Sequence, residues 1–175
     1  MTAAEMLAVA AFVEDHFAQA FPSFGSERTG APVAAFCRID DEPIRTREPI
    51  VAPDAVVVAD PTVLHQVDVL DGLHPGGYLL VNSARSAGEL DLAPEKDLRL
   101  CLVPATELAR EHAGRPLPNA ALLGAFAALT GCVSLEAVLA VLRQRFRDDV
   151  ALGNVAAAKA AYEMVLRGYP EVGHA

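Results

Sequence analysis

The period of the hydrophobic positions changes along the chain and divides it into three stretches. In residues 1–16 the apolar side chains have the spacing of one helix face, and Thr2 with Glu5 has the form of a capping box. Residues 33–103 contain short continuous apolar runs, which are typical of strands buried on both faces of a sheet. From residue 119 the helical spacing returns. The pattern therefore predicts a helix, a strand-rich middle and a helical end.

Strands and helices alternate in the middle of the chain. The predicted strands are Val33–Ile39, with Ile44–Arg47 as its hairpin partner, Ala55–Ala59, Tyr78–Val81 and Leu98–Val103. The predicted helices after them are Thr62–Val69, Thr106–His112, Asn119–Leu129, Leu135–Phe146 and Ala151–Leu166. Continuous apolar strands separated by helices predict an α/β fold with a mostly parallel sheet, crossover helices and a helical C-terminal part.

Length and charge narrow the class of protein. The 175 residues fit a single domain, 1–175, in which residues 170–175 are expected to form a flexible tail. The formal net charge is -9, which argues against a nucleic-acid partner because phosphate binding requires clustered cations. No apolar stretch reaches the roughly 20 residues of a membrane span. The acidic N-terminus, with Glu5, Glu14 and Asp15, does not have the basic region of a signal peptide.

The groups that could bind metals or perform catalysis are scattered. Cys37, Cys101 and Cys132 are far apart, whereas an iron–sulfur cluster needs about four thiolates, several of them closely spaced. Each lies in an apolar run and is interpreted as a small buried hydrophobic residue in a reducing cytoplasm. The five histidines have no metal-binding spacing, and no nucleophile–base pair can be selected. We expect no catalytic residue, no metal and no cofactor bound by this chain alone.

Polar residues follow the predicted parallel strands, namely Asp60, Asn82, Ser83 and Thr106. Open α/β sheets bind ligands outside the carboxyl ends of their strands, so these residues are one candidate site. The alternative is that they are helix caps and turn formers. The sequence has no G-x-G-x-x-G turn and no phosphate loop, so a self-sufficient dinucleotide or ATP site is not supported.

The second candidate site is the loop Ser23–Pro32 (SFGSERTGAP), which is too long for a tight hairpin turn. Its candidate residues are Ser23, Phe24, Gly25, Glu27, Arg28 and Gly30. Glycines let another molecule approach the backbone closely, and an arginine presents a fork suited to a carboxylate or phosphate. We interpret the segment as a cofactor-binding or intersubunit loop; the alternative is a solvated turn.

The same region resembles a known family. Ala18–Pro32 (AQAFPSFGSERTGAP) strongly resembles the segment that marks the gamma subunit of 2-oxoacid:ferredoxin oxidoreductases, above all the pyruvate:ferredoxin oxidoreductase type. Further segments resemble the family in order, over nearly the whole chain: Val33–Ile44, Asp54–Pro61, Gly77–Asn82, Gly114–Ala125, Val133–Glu136 and Asn154–Tyr162. Family members begin with a strand and a G-x-G-G-Q-G turn before the helix matched by Met1–Ala11. Either the true start lies upstream, or this subunit lacks that strand and turn.

The resemblance implies a Rossmann-like, non-catalytic subunit of a larger cytoplasmic enzyme. Such enzymes decarboxylate a 2-oxoacid oxidatively, using thiamine diphosphate, Mg²⁺, [4Fe-4S] clusters and coenzyme A, and form an acyl-CoA. The implied partners are alpha, beta and ferredoxin-like delta subunits, with ferredoxin or an NAD-reducing subunit as acceptor. The loop Ser23–Gly30 would then lie near the active site, on the coenzyme A side. The default substrate is pyruvate, and an aryl or branched 2-oxoacid would be selected by the alpha and beta subunits.

Two other functions stay open at this point. The chain could be a stand-alone nucleotide- or coenzyme A-binding module without redox function, or a purely structural scaffold subunit. Neighbouring genes for alpha, beta and ferredoxin-like subunits would favour the enzyme subunit.

Overall fold

Two β-sheets and five α-helices make up the part of the chain that this computed structural model describes, residues 2–23, 33–92 and 97–168. In chain order they are α1 (Ala3–Val13), β1 (Phe17–Pro22), β2 (Ala35–Asp40), β3 (Ala55–Val58), β4 (Tyr78–Asn82), β5 (Arg99–Val103), α2 (Ala105–Ala113), α3 (Asn119–Thr130), α4 (Leu135–Arg145) and α5 (Asp148–Gly168). The predicted flexible tail lies outside the described residues. Within the described ranges, no helix has the length and apolar character that a bilayer span requires.

The larger sheet is parallel and has the order β3-β4-β5. Its strands are short apolar runs because both faces are covered. Leu80, Cys101 and Val103 pack against the helices on one face, whereas Leu79 and Val81 pack on the other face among side chains of the connecting segments. The predicted α/β class, with a parallel sheet and a helical C-terminal part, is confirmed.

The helix α3 lies at the centre of the helical layer. All of residues 120–129 are buried, because the sequence of the helix is apolar on every side. It packs against α5 so closely that a Cβ atom on Gly124 would lie 2.0 Å from the backbone oxygen of Ala158. Glycine at this position therefore sets the distance between the two helices.

The smaller sheet is an antiparallel hairpin of β1 and β2, paired from Phe17 with Asp40 to Pro22 with Ala35. The prediction that Ile44–Arg47 pairs with the strand at 33–39 is wrong, since this segment forms no strand and β1 takes its place. Prolines flank the segment at positions 43 and 49, and proline has no N–H for a ladder. Instead, Nη2 of Arg38 donates a hydrogen bond at 2.7 Å to the carbonyl of Glu48, the residue that follows this segment.

The predicted helix Thr62–Val69 is also wrong, because only a 3₁₀ turn forms, over Pro61–His65. Asp60 caps its first turn through the Thr62 N–H. The Asp68 carboxylate then accepts from the Leu70 N–H at 3.0 Å. Such a local side-chain contact competes with continuation of a helix. The β3–β4 connection consequently contains this 3₁₀ turn where the sequence predicts an α-helical crossover.

Candidate functional site

The buried amide of Asn82 joins the three elements that meet at the carboxyl edge of the parallel sheet. Its Nδ2 donates to the carbonyl of Ala59, just after β3, and to Oγ1 of Thr106, at 2.8 Å each. Its Oδ1 accepts from the Thr106 N–H at 3.1 Å, and so caps the start of α2. The side chain, on a residue only 7% exposed, thereby satisfies both of its N–H donors and one acceptor position of its oxygen inside the chain.

The other polar residues at this edge also bind their own backbone. The Asp60 carboxylate accepts from the N–H and the hydroxyl of Thr62, at 2.9 and 2.8 Å. The backbone hydrogen bond lowers the pKa of Asp60 below its usual value. The Ser83 hydroxyl accepts from the Arg85 N–H at 2.9 Å. Of the two interpretations of the strand ends, the one as helix caps and turn formers is confirmed for Asp60, Asn82 and Ser83.

The predicted loop site begins where the hairpin ends. The Ser23 N–H donates to the carbonyl of Ala34 at 2.9 Å, so the ladder extends one step beyond the two strands. Ser23 is half-buried. The other predicted residues of this site, which are Phe24, Gly25, Glu27, Arg28 and Gly30, lie outside the described residues. The role of the loop therefore stays a prediction, while its base can be described.

One face of the hairpin, which we call the outer hairpin face, consists of Phe17, Gln19, Phe21, Phe36, Arg38 and Asp40. These residues share a face because side chains alternate along a strand and the register is fixed. The rings of Phe21 and Phe36 are 5.4 Å apart between centroids. The Arg38 guanidinium lies 5.5 Å from the Phe21 centroid. Two aromatic rings and a stacked cation thus form the base of the loop.

The outer hairpin face was not predicted from the sequence. The signal was the placement of Gln19 and Arg38 in otherwise apolar segments, two residues from Phe21 and Phe36 respectively. That signal has meaning only when the two strands are known to pair in this register.

The opposite face of the hairpin packs against α1 and carries one of the cysteines. Burial raises the pKa of the Cys37 thiol to about 12, with a further contribution from the Cys132 thiol. Burial also raises the pKa of Cys132. Cys101 is fully buried in the helix-facing core, which confirms its interpretation as a hydrophobic residue, whereas Cys37 and Cys132 are only partly buried. Among the described residues no three His, Cys, Asp or Glu side chains are grouped as metal ligands.

These features define an α/β domain in which the polar groups at the sheet edge bind within the chain and the hairpin ladder continues to Ser23 and Ala34. Residues 1–164 match the family described as Pyruvate ferredoxin/flavodoxin oxidoreductase. The chain belongs to this family. The predicted resemblance, and the prediction of an enzyme subunit, are thereby confirmed.

Individual relatives agree with the family assignment. The "Pyruvate/ketoisovalerate oxidoreductases common subunit gamma" of Thermococcus litoralis is 46% identical over 164 residues, which are 93% of this chain and 89% of the relative. The "Pyruvate synthase subunit PorC" of Methanothermobacter marburgensis is 43% identical over 163 residues, which are 93% of this chain and 89% of the relative. The chain is therefore similar to gamma-type subunits over almost the whole length of each.

Solved structures extend the comparison to the fold. The pyruvate oxidoreductase subunit PORC of Thermotoga maritima has a TM-score of 0.78 and 36% identity, and the match covers 92% of this chain and 86% of that one. A 2-oxoglutarate:ferredoxin oxidoreductase from Magnetococcus marinus shares the fold alone, with a TM-score of 0.69 and 18% identity over 93% of this chain. The match covers 28% of that chain, so the fold also occurs as one part of a longer polypeptide.

Proposed function

We propose that the chain is the gamma subunit of a cytoplasmic, thiamine-diphosphate-dependent, coenzyme A-acylating 2-oxoacid:acceptor oxidoreductase. Its function there is to dock the alpha and beta subunits and to shape the approach of coenzyme A through the loop Ser23–Gly30. The observation that carries the loop's role is the construction of its base. The ladder continues to Ser23 and Ala34, beside the contacts of Phe21 with Phe36 and Arg38, and so fixes the two points between which the loop runs.

The division of labour follows from the residues of this chain. Its three cysteines are fewer than the roughly four thiolates that one [4Fe-4S] cluster needs, so the clusters belong to partner subunits. The polar groups Asp60, Asn82 and Ser83 at the sheet edge are bound within the chain, so we place thiamine diphosphate and its Mg²⁺ in the alpha and beta subunits. The chain itself contributes shape and the loop.

The substrate is selected outside this chain. The names of relatives such as that from Thermococcus litoralis, a gamma subunit common to pyruvate and ketoisovalerate oxidoreductases, support this proposal. A subunit that serves two 2-oxoacids cannot carry the pocket that distinguishes them. Pyruvate is the default substrate, a branched or aryl 2-oxoacid is compatible, and ferredoxin or an NAD-reducing subunit accepts the electrons.

The test is the substitution of Arg28 by alanine in the chain co-expressed with its alpha, beta and delta subunits. We expect normal assembly and a turnover lower by about tenfold for each ~1.4 kcal/mol of transition-state stabilisation lost. A change in the apparent affinity for coenzyme A with unchanged affinity for the 2-oxoacid would assign the contact to coenzyme A. The variant Glu27→Ala tests the neighbouring charge in the same assay.

Arg110→Ala is the matched control, because Arg110 is an exposed arginine on α2, remote in sequence from the loop. If Arg28→Ala and Glu27→Ala both behave like this control, with wild-type turnover and wild-type affinity for coenzyme A, the loop is only a connection. Specific binding of coenzyme A by the chain alone, without partner subunits, would favour a stand-alone binding module instead.

A further inference from the structure

Three apolar side chains are exposed around the turn between α1 and β1. Phe12 and Val13, in the last turn of α1, are 73% and 52% exposed, and Phe17, the first residue of β1, is 45% exposed. The N–H groups of Asp15 and His16 donate to carbonyls in the last turn of α1, at 3.2 and 3.1 Å. These hydrogen bonds form a helix-ending turn of the Schellman type, which joins the start of β1 tightly to the end of the helix.

The helix α1 is more apolar than its burial requires. Glu5 is the one charged residue among its eleven, and α3 has none among its twelve. All of residues 120–129 in α3 are buried, whereas α1 buries Met6, Ala10 and Ala11. A helix that is apolar on every side is normally enclosed by its neighbours. The exposed end of α1 therefore lacks a cover that its sequence predicts.

Carboxylates surround the exposed apolar side chains. They belong to Glu14, Asp15, Asp40, Asp41 and Glu42, and together with Phe12, Val13 and Phe17 they form what we call the α1–β1 surface. Phe17 is paired with Asp40 across the hairpin, which places the turn after β2 beside the turn after α1. Within the described residues, the ion pair made by this group is that of Asp41 with Nδ1 of His16, at 2.8 Å. The surface therefore has an excess of negative charge.

Negative charge at this place costs free energy in the free chain. The carboxyl end of a helix carries a partial negative charge, so Glu14 and Asp15 stand at its unfavourable end, and the last turn of α1 has no basic residue. The Glu14 carboxylate accepts from the Ser134 N–H at 3.0 Å, which offsets part of the cost. A cationic group of another molecule would offset the rest. A second copy seated through the same surface would bring like charges together.

We propose that the α1–β1 surface docks a basic segment of a partner subunit, in which an apolar side chain lies between lysine or arginine residues. The apolar side chain covers Phe12, Val13 and Phe17, and the cations pair with the surrounding carboxylates. Exposed apolar groups that charged groups surround are typical of protein interfaces. This proposal rests on the proposed function, because it takes the partner from the same enzyme complex. It assigns a docking surface at the end of the hairpin opposite to the loop Ser23–Gly30.

Phe12→Gln tests the apolar part of the surface. Glutamine is a good helix former and Phe12 is exposed, so the melting temperature of the full chain alone should not change. Assembly is measured by the fluorescence anisotropy of the labelled chain titrated with the co-purified alpha, beta and delta subunits. We expect the affinity to fall by about tenfold. Leu152→Gln is the matched control, because Leu152 is 68% exposed on α5, and it should leave the affinity unchanged.

Asp15→Asn combined with Glu42→Gln tests the charged part of the surface. Asparagine accepts the left-handed backbone of Asp15, whose φ is 63°, so the turn should be kept. The melting temperature of the free chain should be unchanged or higher, because a carboxylate leaves the end of α1. We expect association with the partner subunits to be about fivefold slower at low salt, and to depend less on salt between about 50 and about 300 mM.

Glu111→Gln combined with Glu163→Gln is the control for charge. It removes the same number of carboxylates from exposed positions on α2 and α5, whereas α1 packs against the hairpin, α3 and α4. This double variant should associate at the wild-type rate and keep the wild-type dependence on salt. The comparison separates the local charge of the α1–β1 surface from the net charge of the chain.

Weaker assembly of Phe12→Gln, together with the flatter salt dependence of the charge variant, supports the proposal. A loss in only one of the two variants overturns it, because a basic segment with an apolar side chain needs both parts of the surface. Equal losses in the control variants overturn it as well. A lower melting temperature of free Phe12→Gln overturns it, since Phe12 would then be covered within the chain. Self-association of the wild-type chain that Phe12→Gln abolishes overturns it in favour of a second copy.

The wild-type chain separates this proposal from the proposed function. A wild-type chain that does not assemble with the alpha, beta and delta subunits contradicts the proposed function, and the docking surface with it. Wild-type assembly with unaffected variants overturns the docking surface alone. Since assembly is measured without turnover, the result does not depend on Arg28.

Discussion

The helical layer around α3 and the hairpin of β1 and β2 bury similar kinds of side chain and differ in how completely they do so. Every residue from 120 to 129 is buried, and the neighbours of α3 come from the same chain. In the hairpin the residues are at most half-buried, and two buried polar atoms, on Gln19 and Arg38, lack partners. The first region is complete by itself. The second packs against α1 through the face opposite to the outer hairpin face, and within the described residues the hydrogen bonding of its outer face is incomplete.

The polar groups of the parallel sheet and of the hairpin show the same contrast. At its carboxyl edge the amide of Asn82 makes three hydrogen bonds inside the chain. On the outer hairpin face the amide oxygen of Gln19 makes none, although it is equally shielded from water. A buried polar group that is satisfied within the fold contributes to stability, whereas a buried polar group without a partner costs free energy. The predictions below test this distinction.

The largest loss of stability is expected from Gly124→Ala, which changes the helical layer around α3. The added Cβ would meet the backbone oxygen of Ala158 at 2.0 Å, so one of the two central helices must move. We expect a loss of about 3 kcal/mol or more in the free energy of unfolding, measured by urea denaturation. Gly88→Ala is the control, because its Cβ would meet nothing within 4 Å. Equal stability of the two variants would contradict the role of Gly124 as a spacer.

A smaller loss of stability is expected from Asn82→Ala, which removes the amide from the carboxyl edge of the parallel sheet. It removes three hydrogen bonds and leaves the carbonyl of Ala59 and the N–H of Thr106 without their side-chain partner. We expect destabilisation by about 2 kcal/mol in the same urea assay. Asn82→Asp keeps an acceptor for the Thr106 N–H but places a buried carboxylate oxygen against the carbonyl of Ala59, so it should be at least as destabilising as the alanine variant. An alanine variant as stable as the wild type would show that the edge is not held by this amide.

The loss of stability should be smaller again for Thr2→Ala. Thr2 caps the start of α1, the helix that packs against the hairpin. The Thr2 hydroxyl accepts from the Glu5 N–H, and the Glu5 carboxylate accepts from the Thr2 N–H, which completes a capping box. We expect a loss of about 1 kcal/mol. Amide hydrogen exchange should localise the change to the first turn of α1. Exchange that increased equally in α3 would contradict the separation of the two regions.

The last prediction concerns alkylation of a native thiol, which reports on local opening of the hairpin and not on the free energy of unfolding. Because burial raises the pKa of Cys37 to about 12, almost none of it is thiolate at pH 8. Its reaction with iodoacetamide should be roughly a thousandfold slower than that of a free cysteine and should accelerate about tenfold per pH unit between pH 7 and pH 9. Peptide mass spectrometry with and without urea measures both rates. Native labelling of Cys37 at the rate of the unfolded chain would show that the hairpin face that packs against α1 is accessible to the reagent.

The strands β3, β4 and β5 could be predicted from the sequence because burial on both faces produces continuous apolar runs. The strand β1 could not, because Phe17–Pro22 has apolar residues on both of its faces, with Gln19 alone interrupting them, and therefore lacks the alternation that marks a half-buried strand. The wrong prediction of a strand at Ile44–Arg47 has the same cause, because β1, the true partner of β2, was not recognised as a strand.

The contacts of the candidate site were also only partly predictable from the sequence. The capping role of Asp60 is local, and the sequence around it is sufficient to predict it. The bonds of Asn82 to Ala59 and Thr106 join residues 23 and 24 positions away, and only the packed sheet brings them together. The outer hairpin face needs the register of two strands, which a loop of this length does not specify.

The position of α3 has a consequence for the order in which the molecule is made. The helix is enclosed by elements synthesised before it and by α4 and α5, which follow it, and α5, which ends at Gly168, makes the most extensive contact. A ribosome therefore synthesises the chain beyond Asp148 before α3, with its unbroken run of buried residues, can be fully covered. Ribosome-bound chains that end before Asp148 should expose α3 to protease and to chaperones, and should become resistant only when α5 has emerged.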